Sequence, residues 1–130
     1  MTKLLDTTVL VDFLRGEKTV VERMAGEEPG SLAISTLTVD ELTTGAALTR
    51  ETQRELFSMD LLLRPLRTIP LDARIAARAG LLRAAVDRSG APMDTADRLI
   101  AATALELGAV LVTSNTRDFR RVPFLVTEDW

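Results

Sequence analysis

The chain contains no histidine, cysteine or tyrosine among its 130 residues. These absences exclude zinc sites built from imidazole or thiolate, thiol nucleophiles, and hydrolases that use a histidine base. A chain without cysteine also has no disulfides, which is typical of a cytoplasmic protein. If the protein is an enzyme, we therefore expect carboxylates to do the chemistry, assisted by a hard divalent cation such as Mg²⁺ or Mn²⁺.

Long apolar runs, targeting segments and glycine-rich phosphate loops are also absent. No run approaches the roughly 18–20 apolar residues needed to span a bilayer, and the N-terminus lacks the basic and apolar regions of a signal peptide. With 46% apolar and 27% charged residues, the composition is typical of a globular protein. We expect one domain over residues 1–130, in the cytoplasm and without a membrane partner.

The net charge of −3 argues at first against a nucleic-acid partner. However, a carboxylate site concentrates negative charge locally, and all but two of the 16 basic residues are arginine. Because arginine suits both phosphate contacts and buried ion pairs, charge alone leaves the partner open.

Short apolar runs alternate along the chain with segments of helical periodicity. We expect strands at TKLLD, LAIS, LRTIPL and AVLVTS, and a short fifth strand at FLVTE. This alternation predicts a three-layer α/β fold with a mostly parallel, four- to five-stranded sheet flanked by helices. The helix over residues 56–63 is more apolar than one core face requires, which indicates either a buried helix or a dimer or partner groove.

Acidic residues lie near the ends of three of these strands. Asp6 ends the first strand, Glu41 lies one helical turn beyond the second, and Asp118 follows the fourth. Asp97 opens the helix that leads into the fourth strand. Because a helix between parallel strands begins at the carboxyl edge of the sheet, we expect the four acids to share that edge.

Each acid also has a purely structural interpretation. Thr38-x-x-Glu41 has the pattern of a capping box, Asp94-x-x-Asp97 is similar to it, and Asp6 can cap the helix that follows. The joint placement of the acids, rather than any single residue, favours a functional site.

Three segments, LLDTTVLVDFLRG, ISTLTVDELTTGA and DRLIAATALELGAVLVTSNTRDF, follow one another at a distinctive spacing. Together they resemble the PIN-domain ribonucleases, and within them the VapC toxins of VapBC toxin–antitoxin pairs, over nearly the whole chain. The resemblance implies that Mg²⁺ or Mn²⁺ ions assist cleavage of RNA phosphodiester bonds. It also implies a homodimer and a VapB-like antitoxin, a segment of which occupies the groove and inserts a basic side chain at the acids.

By this resemblance Asp6, Glu41 and Asp97 match the metal-binding acids of the family. The family carries its fourth acid either at the position of Asn115 or slightly later. By the resemblance Asp118 is the expected fourth carboxylate and Asn115 an amide-oxygen partner, and the sequence leaves open which of the two fills the fourth ligand place.

The resemblance assigns accessory roles to several neighbours of the acids. Thr7 matches a small hydroxyl residue beside the first acid, Thr113 would orient a carboxylate, and Asp94 is a candidate accessory ligand. Three arginines flank the expected edge and either contact the RNA backbone or form ion pairs in a solvated turn: Arg117, Arg120 and Arg121.

Three other classes of protein are alternatives to a PIN-domain ribonuclease. A receiver-type phosphoacceptor domain needs a lysine late in the chain, whereas Lys3 and Lys18 both lie early. A haloacid-dehalogenase-like phosphatase needs Asp-x-Asp after its first strand, where this chain has Asp6-Thr7-Thr8. The third alternative is a non-catalytic protein-binding module of the same fold. The RNA target and the number of ions stay open.

Overall fold

Five strands and seven helices alternate in the computed structural model, which describes residues 1–130. The strands are β1 (Lys3–Leu5), β2 (Leu32–Ser35), β3 (Arg67–Ile69), β4 (Val110–Val112) and β5 (Thr127–Glu128). The helices are α1 (Thr7–Leu14), α2 (Lys18–Ala25), α3 (Thr36–Ala47), α4 (Thr52–Leu63), α5 (Ala73–Arg88), α6 (Thr95–Leu107) and α7 (Thr116–Phe119).

All five strands are parallel and form one sheet in the order β3-β2-β1-β4-β5. Leu4, at the centre of β1, is in register with Ala33 of β2 and Leu111 of β4. The predicted α/β sheet is therefore confirmed, including its short fifth strand. Later strands add on opposite sides of β1, which creates a switch point between β1 and β4, where open parallel sheets bind ligands.

Alternate residues of the central strands pack into two hydrophobic cores, one on each face of the sheet. Leu4 and Leu111 belong to the core covered by α5 and α6, whereas Leu5 and Val112 belong to the core under α1, α2 and α4. All four side chains have 0% exposure. This packing confirms the three-layer prediction and fixes the strand ends from which the acidic edge extends.

Helix α3 begins at Thr36, before the position that a capping box at Thr38 would require. The hydroxyl of Ser35 accepts a hydrogen bond from the amide of Leu37, so Ser35 is the N-cap and Thr36 is the first helical residue. The capping-box interpretation of Thr38 and Glu41 is therefore wrong. Thr38 lies inside the first turn, fully buried, and its hydroxyl is available for another contact.

Two features near the C-terminus hold the last segments in place. Helix α6 ends at Gly108, whose φ of +62° lies in the left-handed region that glycine adopts without a steric penalty. The four-residue helix α7 was not predicted; its Phe119 is 1% exposed and packs in the α5–α6 core. Phe119 thereby anchors the short helix that carries Asp118.

An apolar groove of about 730 Å³ lies between α1, α2 and α4. Its lining includes Phe13, Met24 and Leu61, the last of which is 50% exposed. The apolar excess predicted over residues 56–63 is thus divided between the core, which takes Leu62, and this open groove. On length and hydropathy, none of the seven helices qualifies as a membrane span.

Candidate active site

Asp6 is held rigidly at the switch point between β1 and β4. Its side chain is only 4% exposed and accepts three hydrogen bonds. The amide of Thr7 donates to Oδ1 at 2.8 Å, while the hydroxyls of Thr113 and Thr8 donate to Oδ2 at 2.8 Å and 3.2 Å. These three donors hold the Asp6 carboxylate in one orientation, and Asp6 is also the N-cap of α1.

The hydroxyl of Thr113 has two partners and uses both of its hydrogen-bonding functions. It accepts from the amide of Asn115 at 2.9 Å and donates its proton to Asp6 at 2.8 Å. Because Thr113 is 0% exposed and directly follows β4, it joins the ends of two neighbouring strands. Thr113 thus contacts a predicted metal ligand, and its orienting role stays a prediction.

Glu41 reaches the same edge from α3. The hydroxyl of Thr7 contacts Glu41 Oε1 at 2.6 Å and the hydroxyl of Thr38 at 3.1 Å. Thr7 therefore contacts two of the predicted acids, Asp6 through its backbone amide and Glu41 through its side chain.

Asp97 lies half-buried in the first turn of α6. Its pKa is sensitive to the other carboxylates at this edge of the sheet. Burial, followed by the negative charges of four neighbouring carboxylates, raises the pKa of Asp97 from its ordinary 3.8 to about 6. In decreasing order of effect these neighbours are Asp6, Asp94, Asp118 and Glu41. The other three predicted acids, and the predicted accessory Asp94, are thus within electrostatic range of Asp97.

Asp94 occupies the N-cap position of α6 but makes no capping hydrogen bond with its side chain. The capping-box interpretation of Asp94 and Asp97 therefore has no support in the hydrogen bonding. The Asp94 carboxylate is exposed, and its charge contributes to the raised pKa of Asp97.

Asp118 and Asn115 form a hydrogen-bonded pair beyond the end of β4. The amide nitrogen of Asn115 donates to Asp118 Oδ2 at 2.6 Å. Asn115 thus orients the carboxylate of Asp118, which is exposed on α7.

The donor set consists entirely of oxygen, which is the ligand type that Mg²⁺ and Mn²⁺ prefer. As the side chains stand, no three acids lie close enough together to hold one ion, so the acids line a shared cleft rather than a closed cage.

The three arginines predicted to flank the cleft differ in their contacts. The guanidinium of Arg121 donates to the carbonyls of Ala91 at 2.5 Å and Pro92 at 3.1 Å, in the loop before α6. Arg121 therefore ties that loop to the segment after α7. Arg117 and Arg120 are exposed and form none of the salt bridges in the structure.

Two side chains near the acids were missed by the sequence reasoning. Thr38 was interpreted only as a helix cap, although its spacing of three residues from Glu41 places both on one helix face. Arg98, adjacent to Asp97, is only 7% exposed and donates to the carbonyl of Ala79 and the hydroxyl of Thr95. An arginine beside a predicted ligand was visible in the sequence, but its burial and its partner Ala79 on α5 were not.

Residues 3–125 match the PIN domain family. The chain is 32% identical to the tRNA(fMet)-specific endonuclease VapC of Shigella flexneri over 127 residues, covering 98% of this chain and 96% of that protein. Among solved structures, DNA-bound VapBC from Salmonella typhimurium matches with a TM-score of 0.94 and 30% identity, covering 100% of this chain and 98% of that chain. VapBC2 of Rickettsia felis, bound to a promoter DNA fragment, matches with a TM-score of 0.90 and 28% identity, covering 100% and 99%.

The chain therefore belongs to the PIN domain family. PIN-domain ribonucleases are metal-dependent as a class. Within the family the chain is a ribonuclease of the VapC type, as its relatives over nearly full length are. The predicted family, fold and enzyme class are therefore confirmed. The alternative of a non-catalytic protein-binding module is not favoured.

Proposed function

We propose that this VapC-type ribonuclease binds Mg²⁺, or Mn²⁺ in its place, between Asp6, Glu41, Asp97 and Asp118. The raised pKa of Asp97 carries the proposal, since it reflects carboxylates brought to one place by three other segments of the chain. Like charges held together in this way disfavour one another's ionisation, and a cation relieves that cost.

The four acids differ in how tightly they are held. Asp6 is buried and bound by three donors, so it holds one direction in the cleft. Asp97 is half-buried, whereas Glu41 and Asp118 are exposed and each accepts one side-chain hydrogen bond, from Thr7 and from Asn115. Asp94 is an accessory ligand. When bound, the ion supplies an activated water and compensates the charge that develops on the phosphodiester. The acids themselves bind and orient it, and no imidazole is required.

Arg117 and Arg120 are the residues we propose for contacts with the RNA backbone. Both lie in the segment that carries Asp118, both are exposed, and neither is engaged by a carboxylate. Arginine can bind a phosphate through two parallel hydrogen bonds. Arg121, whose guanidinium bonds Ala91 and Pro92, contributes less to the proposed surface.

Transfer RNA is the substrate class we propose to test first. The relatives from Shigella flexneri and Salmonella typhimurium, 32% and 29% identical over 98% of this chain, are both named as endonucleases specific for tRNA(fMet). Single-stranded loops of a folded RNA present splayed bases and accessible phosphates to such a cleft.

A cognate VapB-like antitoxin is the proposed inhibitor, since the structural neighbours are VapBC complexes. The groove between α1, α2 and α4 is its proposed main binding surface, because an apolar helix face fits such a groove. Glu27 and Glu28 on the groove's lining favour a segment that also carries basic side chains.

We further propose that residues 1–130 form one PIN domain and that two such chains form a homodimer. The proposed place of action is the cytoplasm, where RNA substrates occur. Exposed apolar side chains outside the groove support self-association: Leu48 is 83%, Leu71 42% and Leu81 72% exposed. Burial of such side chains in a second copy would remove them from water.

The experiment that tests the proposal is cleavage of purified tRNA by the protein with Mg²⁺, with Mn²⁺ and with EDTA. Asp97→Asn is the test variant, and Asp40→Asn is its matched control. Asp40 is an exposed aspartate next to Glu41 in the chain that is not among the charges acting on Asp97.

We expect metal-dependent cleavage by the wild type and by Asp40→Asn, and none by Asp97→Asn. Cleavage that persists in EDTA or in Asp97→Asn would contradict the assigned site. If folded, metal-saturated protein cleaves neither tRNA nor a mixed RNA pool, the result would favour the non-catalytic protein-binding module instead.

A further inference from the structure

Thr38 makes a contact unlike those of other buried helical threonines in this chain. A threonine inside a helix commonly donates its hydroxyl proton to the carbonyl four residues earlier. Thr103 of α6, 1% exposed, does so, with its hydroxyl 2.7 Å from the carbonyl oxygen of Leu99. Thr38, at 0% exposure, instead has the hydroxyl of Thr7 as its partner, at 3.1 Å.

The directions of these hydrogen bonds follow from counting protons. Each threonine hydroxyl carries one proton, and an ionised carboxylate only accepts. The 2.6 Å contact between Thr7 Oγ1 and Glu41 Oε1 has the length of a hydroxyl-to-carboxylate bond, so it uses the only side-chain proton of Thr7. The remaining contact therefore has Thr38 as the donor and Thr7 as the acceptor.

We propose that Thr38 is a positioning residue that sets the direction of the Glu41 carboxylate through Thr7. The hydroxyl of Thr38 donates its proton to Thr7 Oγ1. This contact fixes the orientation of the Thr7 hydroxyl, whose own proton then points at Glu41. Glu41 is exposed and has no other hydrogen-bond donor in the structure, so its orientation depends on this chain of hydroxyls. The consequence for metal binding rests on the proposed function, in which Glu41 is a ligand.

Double-mutant cycles on the metal-free full-length protein test the hydroxyl chain itself. Thr38→Val keeps the side-chain shape and removes the hydroxyl, and Glu41→Ala removes the acceptor. From urea unfolding in EDTA we expect the two changes to be coupled by about two- to fivefold in the folding equilibrium constant. The coupling should disappear when Thr7 is also changed to valine, because Thr7 links the pair.

Thr103→Val combined with Glu41→Ala is the matched control. It makes the same substitution at another buried helical threonine whose hydroxyl bonds its own helix, so its effect should simply add to that of Glu41→Ala. If Thr38→Val does not fold, Thr7→Val replaces it, since Thr7 is half-buried and lies on the same path. Independent effects of the Thr38 and Glu41 changes would overturn the inference.

Mn²⁺ affinity, measured by electron paramagnetic resonance of the free ion, tests what the positioning achieves. Thr38→Val should weaken binding about tenfold, as changes behind a ligand commonly do, and Thr38→Ser should restore it. In a Glu41→Ala background Thr38→Val should cause no further loss. Wild-type affinity in Thr38→Val, or an equal loss in both backgrounds, would overturn the positioning role. Absence of Mn²⁺ binding by the wild type would overturn the proposed function instead, and the unfolding cycles would still decide the hydroxyl chain.

Discussion

Asp97→Asn should make the metal-free protein more stable at neutral pH, although it removes a proposed ligand. Because the pKa of Asp97 is raised to about 6 in the folded protein from an ordinary value of 3.8, the folded state binds this proton more tightly than the unfolded state. The stability from this group is fully present below about pH 3.8 and is lost as the pH rises through about 6. Asparagine carries no charge at any pH and avoids that loss.

The size of the effect follows from the shift. Roughly two pKa units correspond to about 3 kcal/mol, and since Asp97 is only half-buried, solvent screening reduces this to about 1–2 kcal/mol. The advantage of Asp97→Asn over the wild type should therefore grow between about pH 4 and pH 6 and stay constant above pH 7. Mg²⁺ or Mn²⁺ should stabilise the wild type at pH 7.5 and have little effect on the variant.

Urea unfolding in EDTA, followed by circular dichroism from pH 4 to pH 8, measures this difference. Asp40→Asn is the control, and its stability relative to the wild type should not follow the same pH profile. A destabilised Asp97→Asn protein at pH 7.5, or a difference independent of pH, would refute the reasoning that the acids repel one another in the cleft.

Three further predictions follow from other contacts. Thr113→Val should lower the free energy of unfolding by about 1–3 kcal/mol, because it removes one of the three donors to the buried Asp6 and leaves the amide of Asn115 without its acceptor; urea unfolding tests this, and a loss no larger than that of Thr103→Val would contradict it. Arg117→Gln and Arg120→Gln should each raise KM for RNA and reduce the salt dependence of binding by about 0.7 in log–log slope, without changing Mn²⁺ affinity. Arg50→Gln, exposed in the loop after α3, serves as their control, and an equal effect there would remove the case for a local RNA contact. Leu61→Glu, which puts a charge into the apolar groove, should weaken antitoxin binding more than tenfold while leaving RNA cleavage unchanged, and unaltered affinity would place the antitoxin elsewhere.

The sequence predicted the sheet and the place of the acids because both depend on local patterns. Short apolar runs followed by polar residues mark buried strands and their ends, so Asp6 was placed correctly at the end of β1. Asp97 was placed by the rule that a helix between parallel strands begins at the carboxyl edge. These predictions needed no knowledge of which side chains touch.

What the sequence did not predict depends on contacts between distant segments. Thr38 fits a capping pattern, but Ser35 already caps α3, and this competition is decided by where β2 ends. Arg121 was expected near RNA or an ion pair, whereas it bonds backbone carbonyls 29 and 30 residues away. Local periodicity carries no information about such partners.

The hydrogen bonds of Thr7 and Thr113 link three of the acids into one connected path. Thr7 joins Asp6 to Glu41. Thr113 donates to Asp6 and accepts from the amide of Asn115, whose side chain donates to Asp118. Separately, Arg121 joins the segment after α7 to the loop before α6. A substitution at any residue of this path therefore disturbs more than one acid, and its effect on cation binding is shared among several ligands rather than assigned to a single one.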